Sequence, residues 1–586
     1  MNKMIGTLKS QALAIGIALL SSCSLELASF TNTSFYLTRP QGIDAARELV
    51  GWQTLINRDA DCFYGAFSIA PTYIRSFHPE QTAALLFGNV PLTFSGSRSF
   101  NRGPNDLLAD YFGLPADYKS VVCFEPRIRN FILDFNAYIG LENIAHGLYI
   151  RAHVPMTNTT WDLTMRESVK DPGTAFHPAG YMSTARINRA DLAPDVTSYF
   201  FGKTTFGDMK EPLKFGMIQE NLVQNRIADL CVVLGWNATG AKYHAGINAR
   251  FGFPTGNRPT AQFLFEPIAG NGKHWELGVG FTGHYDVWAS ADNYSAFVVY
   301  LDANFTHLMP VTYKRSYDFI NAGPGSRYML LEEIAPQSTN LFVNAAGVGA
   351  SSTQYRQRLL PAINVTTLDS KISIGIQADI ALKFSYQRGG LGVDCGYNFW
   401  GRSREKIHCR QKFDSDRYAL KGDAQIYGFD SVIDTTIVPL SATQNHATLQ
   451  AGQNGGNGFP FLTAASFTNQ NADSPTAAFD SANSLSQLNT ADAASLSIAR
   501  SQVFTSNPAQ LLTDADINSC CALLPRAFTN GFFVHLGHTW NHDDQTCFDP
   551  FLGLGAQVDW ASSRGCPSNN SGNGQWGVWA KGGFGF

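Results

Sequence analysis

Strict alternation of apolar and polar residues over 371–386 constrains the fold of this chain more than any other feature. Its even-numbered positions are apolar: Ile372, Ile374, Ile376, Ala378, Ile380, Leu382, Phe384 and Tyr386. Its odd-numbered positions are polar or small: Lys371, Ser373, Gly375, Gln377, Asp379, Ala381, Lys383 and Ser385. A helix does not produce this pattern, because its side chains return to one face every three or four residues. The stretch therefore predicts a β-strand with one apolar and one polar face.

The same period of two recurs along the chain. It is found over 130–141, 147–156, 229–237, 242–253, 274–288, 294–308, 390–400, 416–428, 528–540 and 550–560, and more weakly over 63–75. A soluble β-sandwich also alternates, but its strands usually have only about five or six residues. The runs in this chain are long enough for the roughly 9–11 residues of a tilted strand that crosses a membrane.

The amount of charge separates these two architectures. Charged residues make up 15% of the chain, whereas soluble domains average about 25%. Beyond the N-terminal region, no run reaches the roughly 18 consecutive apolar residues that indicate a spanning helix. A closed barrel is the other structure that satisfies every backbone group in lipid. We therefore expect an all-β fold, an antiparallel up-and-down transmembrane β-barrel whose outer face touches lipid.

Tryptophan positions support a lipid-facing outer surface. Five tryptophans lie near the end of a predicted strand and occupy positions that face outward in the alternation: Trp236, Trp275, Trp540, Trp560 and Trp576. Amphipathic rings at the ends of lipid-facing strands form the aromatic girdles of membrane barrels. These five residues are our predicted girdle.

The N-terminus predicts export. Lys3 and Lys9 precede the apolar run 12–20, and no acidic residue occurs before Glu26. A positive region followed by a short apolar run is typical of a secretory signal peptide, here residues 1–23. Leu20-Ser21-Ser22-Cys23 also resembles the lipobox of bacterial lipoproteins, in which Cys23 would be lipidated, although ordinary cleavage nearby explains the same residues.

The C-terminus carries the family resemblance. Counting back in twos from Phe586 gives Phe584, Gly582, Ala580, Val578 and Trp576, an apolar face that ends at the last residue. This resembles the terminal strand of Gram-negative outer-membrane β-barrel proteins of the porin-like type. The resemblance implies location in the outer membrane of a Gram-negative bacterium, contact with outer-membrane lipid, and an insertion signal, Phe584 and Phe586, read by the barrel-insertion machinery.

Connection lengths predict the strand count. Short and long connections alternate, as expected for periplasmic turns and long extracellular loops. With one extra strand placed at 431–440, the barrel has about fourteen strands, and twelve to sixteen remain open. Residues 62–586 form this barrel, with 441–527 as a long polar loop or insert. Residues 24–61 form a periplasmic segment or a plug.

Charged residues with inward parity predict the lining of the lumen. They are Asp134, Arg151, Asp229, Lys242, Arg250, Glu276, Asp286, Asp302, Asp379, Lys383, Asp394, Lys421, Asp423, Asp559 and Lys581. Such charges often pair across a barrel interior and only stabilise it. If instead they line an aqueous path, they set its ion preference. Nine acids against six bases predict a weak cation preference at most.

Other kinds of chemistry have little support in the sequence. A net charge of −4 without basic runs argues against a nucleic-acid partner. We find no short catalytic or phosphate-binding motif and expect no enzyme activity, cofactor or metal. His535 and His538 would point to opposite faces of a strand, so they cannot share a metal there. The pairing of Cys520, Cys521, Cys547 and Cys566 cannot be read from sequence.

These features favour an outer-membrane, porin-like channel for the passive passage of small solutes. Two alternatives stay open. One is a surface structural or adhesion protein whose barrel only anchors its external loops 157–228 and 441–527. The other is a plugged transporter of hydrophobic solutes, as in the fatty-acid transporter family of fourteen-stranded barrels. The transported solute and a homo-oligomeric state, which many porins adopt, are left open by the sequence.

Overall fold

A computed structural model of the chain describes most residues after position 32. The described ranges are 33–57, 63–88, 91–99, 102–103, 105–177, 180–292, 294–338, 352–423, 426–429, 437–439, 443–450, 509–540, 548–561 and 570–586. The predicted signal peptide with Cys23, and most of 441–527, lie outside these residues.

Twelve antiparallel strands close into a barrel. They are β1 (Tyr64–Ser76), β2 (Arg127–Gly140), β3 (Leu148–Asp162), β4 (Leu230–Gly240), β5 (Tyr243–Phe253), β6 (Glu276–Ala289), β7 (Ser295–Ser316), β8 (Thr367–Arg388), β9 (Leu391–Arg402), β10 (Ala527–Thr539), β11 (Asp549–Trp560) and β12 (Gln575–Gly585). Each pairs with the next in this series, and β12 returns to pair with β1. Leu222–Ile227 and Glu405–Arg410 bond to β3 and β8 outside this closed circuit. The all-β up-and-down barrel of about fourteen strands is thus confirmed, with twelve strands closing the barrel.

Side-chain alternation separates the two faces of the wall. In β10, Phe532, Val534 and Leu536 are exposed, whereas the intervening Phe533 and His535 are buried. Because successive side chains on a strand point to opposite faces, the exposed set forms the outer surface and the buried set faces the lumen. The outer face carries large apolar side chains, as a lipid-facing barrel surface does.

Connection length divides the two ends of the barrel. The connections β2–β3, β4–β5, β6–β7, β8–β9 and β10–β11 are short and lie at the end where β1 begins and β12 ends. The connections at the opposite end are long. This arrangement matches the alternation that the sequence predicts.

The predicted strands 416–428 and 431–440 do not belong to the barrel. Tyr418–Leu420 instead pairs with Leu330–Ser338, and Tyr427–Phe429 pairs with Ile437–Pro439. Residues 418–423 are buried on both faces. The alternation there therefore arises in a small internal sheet, and no further outward strand is needed at 431–440 to keep the barrel even.

The five longest connections fold together at one end of the barrel, in a body that we call the cap (described residues of 77–126, 163–229, 254–275, 317–366 and 403–526). Its helices are α2 (Pro79–Phe87), α3 (Val196–Phe200) and α4 (Ile363–Thr366). One sheet contains Leu92–Ser95, Leu107–Leu108, Lys119–Phe124 and Met165–Asp171, and another contains Leu330–Ser338, Ser352–Pro361 and Tyr418–Leu420.

One apolar core joins the connections of the cap. All five contribute buried residues to it, among them Phe94, Phe200, Phe265, Tyr328 and Leu512. The rings of Phe200 and Tyr328, which belong to different connections, meet edge to face with centroids 5.3 Å apart. Both described ends of 441–527 join this core through Leu449 and Leu512. Among the residues that the structure describes, no helix is long and apolar enough to span a membrane.

Candidate functional site in the barrel lumen

Residues 33–57, which we call the N-terminal segment, start against the cap, where Thr33 and Ser34 donate to the carbonyls of Leu85 and Cys521, and continue inside the barrel. Arg39 contacts Asp379 on β8 and Asp559 on β11, and Arg47 contacts Asp134 on β2. Further contacts reach β3, β5 and β12, as detailed below. A segment that touches strands around the whole circuit of a closed barrel must lie within it.

The segment contains one short helix, α1 (Ala45–Leu49), and the sequence explains its form. The carboxylate of Asp44 accepts a hydrogen bond from the backbone N–H of Arg47 and so caps the first turn. Ala45 and Ala46 are fully buried in a cluster with Phe533 and Trp579. Small side chains on this part of the helix allow it to approach the wall closely.

Arg39 joins the segment to two strands through carboxylates. Its guanidinium lies 2.8 Å from Asp379 and 3.4 Å from Asp559, and 3.5 Å from Asp44 within the segment. The backbone N–H of Ala45 also donates to Asp379. The side chains of this cluster are almost completely buried, so Asp379 and Asp559 depend on the positive charge of Arg39, whereas Asp44 also lies 3.6 Å from Arg47.

Arg47 and Glu48 make a second set of ion pairs. Arg47 lies 3.0 Å from Asp134, which also contacts His153. Glu48 lies 2.6 Å from Arg151 and 3.9 Å from Arg250. Neighbouring residues of opposite charge on α1 thus meet complementary charges on β2, β3 and β5.

Two lysines of the wall bind the carboxyl end of α1. Lys581 donates to the carbonyls of Arg47 and Glu48, at 3.0 and 3.1 Å, and Lys383 donates to that of Leu49 at 3.1 Å. The last carbonyls of a helix have no partner within the helix and carry partial negative charge. The ammonium groups therefore supply both the hydrogen bonds and the charge that this end of α1 needs.

The structure places eleven of the fifteen predicted lumen residues on barrel strands with inward-facing side chains. They are Asp134, Arg151, Arg250, Glu276, Asp286, Asp302, Asp379, Lys383, Asp394, Asp559 and Lys581. Seven of them contact the N-terminal segment. Of the rest, Asp302 lies 4.0 Å from Arg151, and Asp394 lies 3.7 Å from Lys383 and 3.4 Å from His535.

Four predicted lumen residues lie elsewhere. Lys242 is exposed in the two-residue turn between β4 and β5. Asp229 precedes β4 and accepts hydrogen bonds from the backbone N–H groups of Gly256 and Asn271 in the cap. Lys421 and Asp423 are buried in the cap, because the strand that gave them inward parity belongs to the cap sheet.

Burial shifts the titration of this buried group of charges in the cap. It raises the pKa of Asp423 to about 6, lowers that of Lys421 to about 8, and raises that of Glu332 well above its ordinary value. In each case removal from water disfavours the charged form. The group is remote from the barrel wall, so we treat it as part of the stability of the cap.

Little space remains between the N-terminal segment and the wall. Three cavities there have volumes of about 30, 70 and 20 Å³. Such volumes hold one or a few water molecules. Most residues of the segment are themselves buried, so the segment occupies the lumen at this level.

The predicted girdle tryptophans are all exposed and fall at both ends of the barrel. Trp236 and Trp540 lie near the short connections, and Trp275, Trp560 and Trp576 lie near the cap. Trp236 donates to the carbonyl of His146 in a short connection. At the C-terminus, Phe586 is exposed, packs near Phe63, and exchanges backbone hydrogen bonds with Gly65 at the start of β1.

The alternation of apolar and polar residues did not identify the charged residues that the N-terminal segment contributes to the site. Arg39, Asp44, Arg47 and Glu48 precede the first strand and have no alternating pattern that would place them. The only available signal was the cluster of charges in a segment between an export signal and a barrel. Arg315 and Arg402 were missed because β7 and β9 extend past the predicted ends at 308 and 400.

Among the described cysteines, Cys123, Cys231, Cys395, Cys409, Cys520 and Cys521 are unpaired. Cys547 and Cys566 lie outside the described residues. Among the residues that the structure describes, no three His, Cys, Asp or Glu side chains are grouped as metal ligands would be.

No family model matches the chain, and no curated protein sequence matches it. An outer-membrane channel from Pseudomonas putida F1 aligns over 90% of this chain and 97% of its own, with 9% identity and a TM-score of 0.30. A FadL homologue from Pseudomonas aeruginosa covers 90% of both chains with 6% identity and a TM-score of 0.24. A mutant of the monoaromatic hydrocarbon channel TodX covers 89% of both, with 8% identity and a TM-score of 0.25. These low values leave the function to be inferred from the chain's own residues.

Proposed function

We propose that the chain is an outer-membrane channel for small solutes whose lumen is closed by its own N-terminal segment. The observation that carries the proposal is the polar contact between this segment and the wall. Arg39, Arg47 and Glu48 meet charges on several strands, and wall lysines bind the end of α1.

A permanent plug does not need this polar interface. Buried ion pairs contribute little net stability compared with well-packed apolar residues of similar volume. Charged residues on both the N-terminal segment and the wall have a different advantage. Water can solvate each of the two surfaces once the segment leaves the wall. The wall left behind would be a hydrated path, as passage of polar solutes requires.

Release of the segment would expose a wall with more acids than bases. The eleven predicted strand charges comprise seven acids and four bases, and the buried Arg315 and Arg402 on β7 and β9 bring the bases to six. The paired charges of the segment itself balance, with Arg39 and Arg47 against Asp44 and Glu48. We therefore expect the open channel to favour small cations weakly.

Planar-bilayer recording of the full-length protein tests the proposal. We expect mostly closed channels with rare openings for the unaltered chain. The variant Arg39→Ala/Arg47→Ala leaves Asp379 and Asp559 without the cation that they share and leaves Asp134 with His153 alone, so the closed state loses stability and openings become frequent. Lys214→Ala, which removes an exposed ion pair with Glu211 in the cap, is the matched control and should record like the unaltered chain.

Two results would overturn the proposal. One is a folded protein, recognised by heat-modifiable gel mobility, in which neither the unaltered chain nor the double variant conducts. That result favours the anchor alternative, which the size of the folded cap supports. The other is clear anion selectivity of the open channel, which contradicts the charges of the wall.

A carrier of hydrophobic solutes is the second candidate, and an interruption of the β3–β4 ladder favours it. The β3–β4 ladder ends at the pair His153 and Cys231, and β3 then pairs with Leu222–Ile227, the stretch that leads into β4. Between the two ladders the backbone N–H of Ala228 donates to the carbonyl of Pro155. The cavity of about 30 Å³ lies behind this interruption, and its lining combines apolar Pro40, Ile43 and Leu230 with charged Arg250, Glu276 and Asp379. Uptake of an apolar fluorophore into protein-containing vesicles, with no ion conductance, would favour this candidate over the polar channel.

A further inference from the structure

Two arginines face each other on the outer surface of the barrel, near the cap. Arg75 on β1 lies directly opposite Arg129 on β2, and both side chains are exposed. Directly opposed residues on antiparallel strands have Cβ atoms about 4.5–5.5 Å apart, and like charges at that spacing repel.

The described residues offer this pair little compensation. Arg129 donates one hydrogen bond to the neutral side chain of Asn221, and neither arginine forms an ion pair within the described part of the chain. The nearby carboxylate of Glu125 is bound instead to Arg127, at 2.6 Å, and lies 3.7 Å from Arg166. The two guanidinium groups therefore present an uncompensated double positive charge.

The pair belongs to one row of outward-facing residues. Backbone pairing sets Val558, Trp576, Arg75, Arg129, Thr160 and Val223 side by side across five strands of the barrel and the adjoining strand Leu222–Ile227. Trp576 and Val223 are exposed on either side of the arginines. The arginines therefore lie between apolar side chains rather than in a wholly polar loop.

The residues that follow the two arginines toward the middle of the barrel indicate the level of the arginines in the membrane. Two positions toward the middle of the barrel, Tyr73 and Phe131 face outward, and Phe131 is 53% exposed. The ring of Tyr73 also meets that of Trp576 at 5.7 Å. Tyrosine and tryptophan on a lipid-facing surface mark the boundary between acyl chains and headgroups. Arg75 and Arg129 thus stand at the level of the headgroups.

We propose that Arg75 and Arg129 bind a phosphate-bearing lipid headgroup in the membrane leaflet next to the cap. A guanidinium presents N–H donors in a planar fork that matches phosphate oxygens, and two such groups side by side can hold one phosphate from two directions. The anion removes the repulsion between the arginines, and Trp576 and Val223 pack against the attached acyl and sugar parts. A lipid fits this place better than a free anion, because the aromatic side chains of Trp576, Tyr73 and Phe131 lie beside the pair on the outer surface.

The test uses full-length protein in a phosphate-free detergent and lipid A as the probe. Native mass spectrometry gives the bound fraction for phosphorylated and for dephosphorylated lipid A. We expect Arg75→Gln/Arg129→Gln to lower binding of the phosphorylated form about tenfold. The matched control is Arg226→Gln/Arg258→Gln, which removes two exposed arginines at the same end of the barrel but outside the row, and it should change binding less than about twofold.

Arg75→Lys/Arg129→Lys keeps the positive charges but loses the planar guanidinium groups. We therefore expect it to bind phosphorylated lipid A more weakly than the unaltered chain and more strongly than Arg75→Gln/Arg129→Gln. Heat-modifiable mobility shows that each variant is folded. Three results would overturn the proposal: equal losses in the row pair and its control, equal binding of phosphorylated and dephosphorylated lipid A, or full displacement of the lipid by inorganic phosphate. The last would make free phosphate the ligand.

Discussion

At the scale of single residues, the interior of this barrel contains ion pairs between residues that are far apart in the sequence. Arg47 and Asp134 are each 1% exposed at the side chain and lie 3.0 Å apart. Removing Asp134 would leave Arg47 with only the more distant Asp44, at 3.6 Å, and breaking a buried ion pair in this way typically costs about 3–5 kcal/mol. The pairing of individual residues therefore determines whether the N-terminal segment stays in the lumen.

Period-two parity was sufficient to place most of the wall residues. Asp379 and Lys383 could be assigned to the inner face because a strand turns successive side chains to opposite sides. The same rule misplaced Lys421 and Asp423, because a strand buried on both faces also shows local alternation. Parity reports the face of a strand, and it does not report the sheet to which that strand belongs.

The first prediction concerns Asp423. Burial raises its pKa from 3.8 to about 6. The folded state therefore holds this proton more tightly than the unfolded state. The resulting stabilisation is complete below about pH 4 and disappears as the pH rises through about 6, a change of up to roughly 3 kcal/mol. Asp423→Asn should remove this part of the pH dependence.

Urea unfolding of the full-length protein in detergent, at about pH 4 and about pH 7.5, measures the effect. The unaltered chain should lose more stability between these two conditions than Asp423→Asn does. Asp191→Asn, which changes an exposed carboxylate of the cap, is the control and should keep the unaltered pH dependence. Equal pH dependence in all three proteins would contradict the prediction.

At the scale of elements, α1 owes its position to contacts that are distant in sequence. Its partners on β8 and β12 lie more than 300 and 500 residues away along the chain. Local pattern contains no information about such contacts, so the sequence left a plug and a periplasmic segment equally open. The barrel strands were predictable because their pattern is local and repeats.

Gly51 gives the second prediction, since it turns the chain just after α1. Its φ is +87°, which an L-residue adopts only with strain of roughly 1 kcal/mol or more. Gly51→Ala should therefore destabilise the closed arrangement of the segment and raise the ratio of open to closed channels about fivefold in planar bilayers.

Gly323→Ala is the matched control for this prediction. Gly323 has a φ of +75°, and an added Cβ atom there would have no neighbour within 4 Å. The substitution thus introduces similar backbone strain in the cap without touching the lumen. If both variants altered the open fraction equally, strain at Gly51 would not be the cause.

At the scale of the whole molecule, the low fraction of charged residues in the sequence is explained by one surface, the apolar outer face of the barrel wall. The inner face of the wall carries its charges against the N-terminal segment, and the outer face carries exposed apolar side chains such as Leu536 and Leu554. The cap gathers its own apolar residues into a separate core. One chain thus has three different surfaces: an apolar outer wall, a polar lumen and a separate cap.

Leu554, at the middle of β11 and 66% exposed, gives the third prediction. If this surface touches lipid, Leu554→Arg should destabilise the barrel folded in phospholipid vesicles by roughly 2–4 kcal/mol. An exposed leucine on a protein surrounded by water would tolerate arginine. Ile144→Arg, at an exposed residue in the short β2–β3 connection, is the control and should be close to neutral. Urea midpoints in vesicles measure both, and a neutral Leu554→Arg would contradict a lipid-facing wall.

The closure of β12 on β1 has a consequence for the order of events during biogenesis. Ala66 pairs with Gly585, so the ring is complete only after nearly the whole chain has been made and delivered. Contacts between residues so far apart in sequence form slowly. The N-terminal segment must therefore either wait in place while the wall assembles around it, or enter afterwards through the end opposite the cap. The first route makes residues 33–57 a template during assembly, and the second makes them the last part of the protein to become ordered.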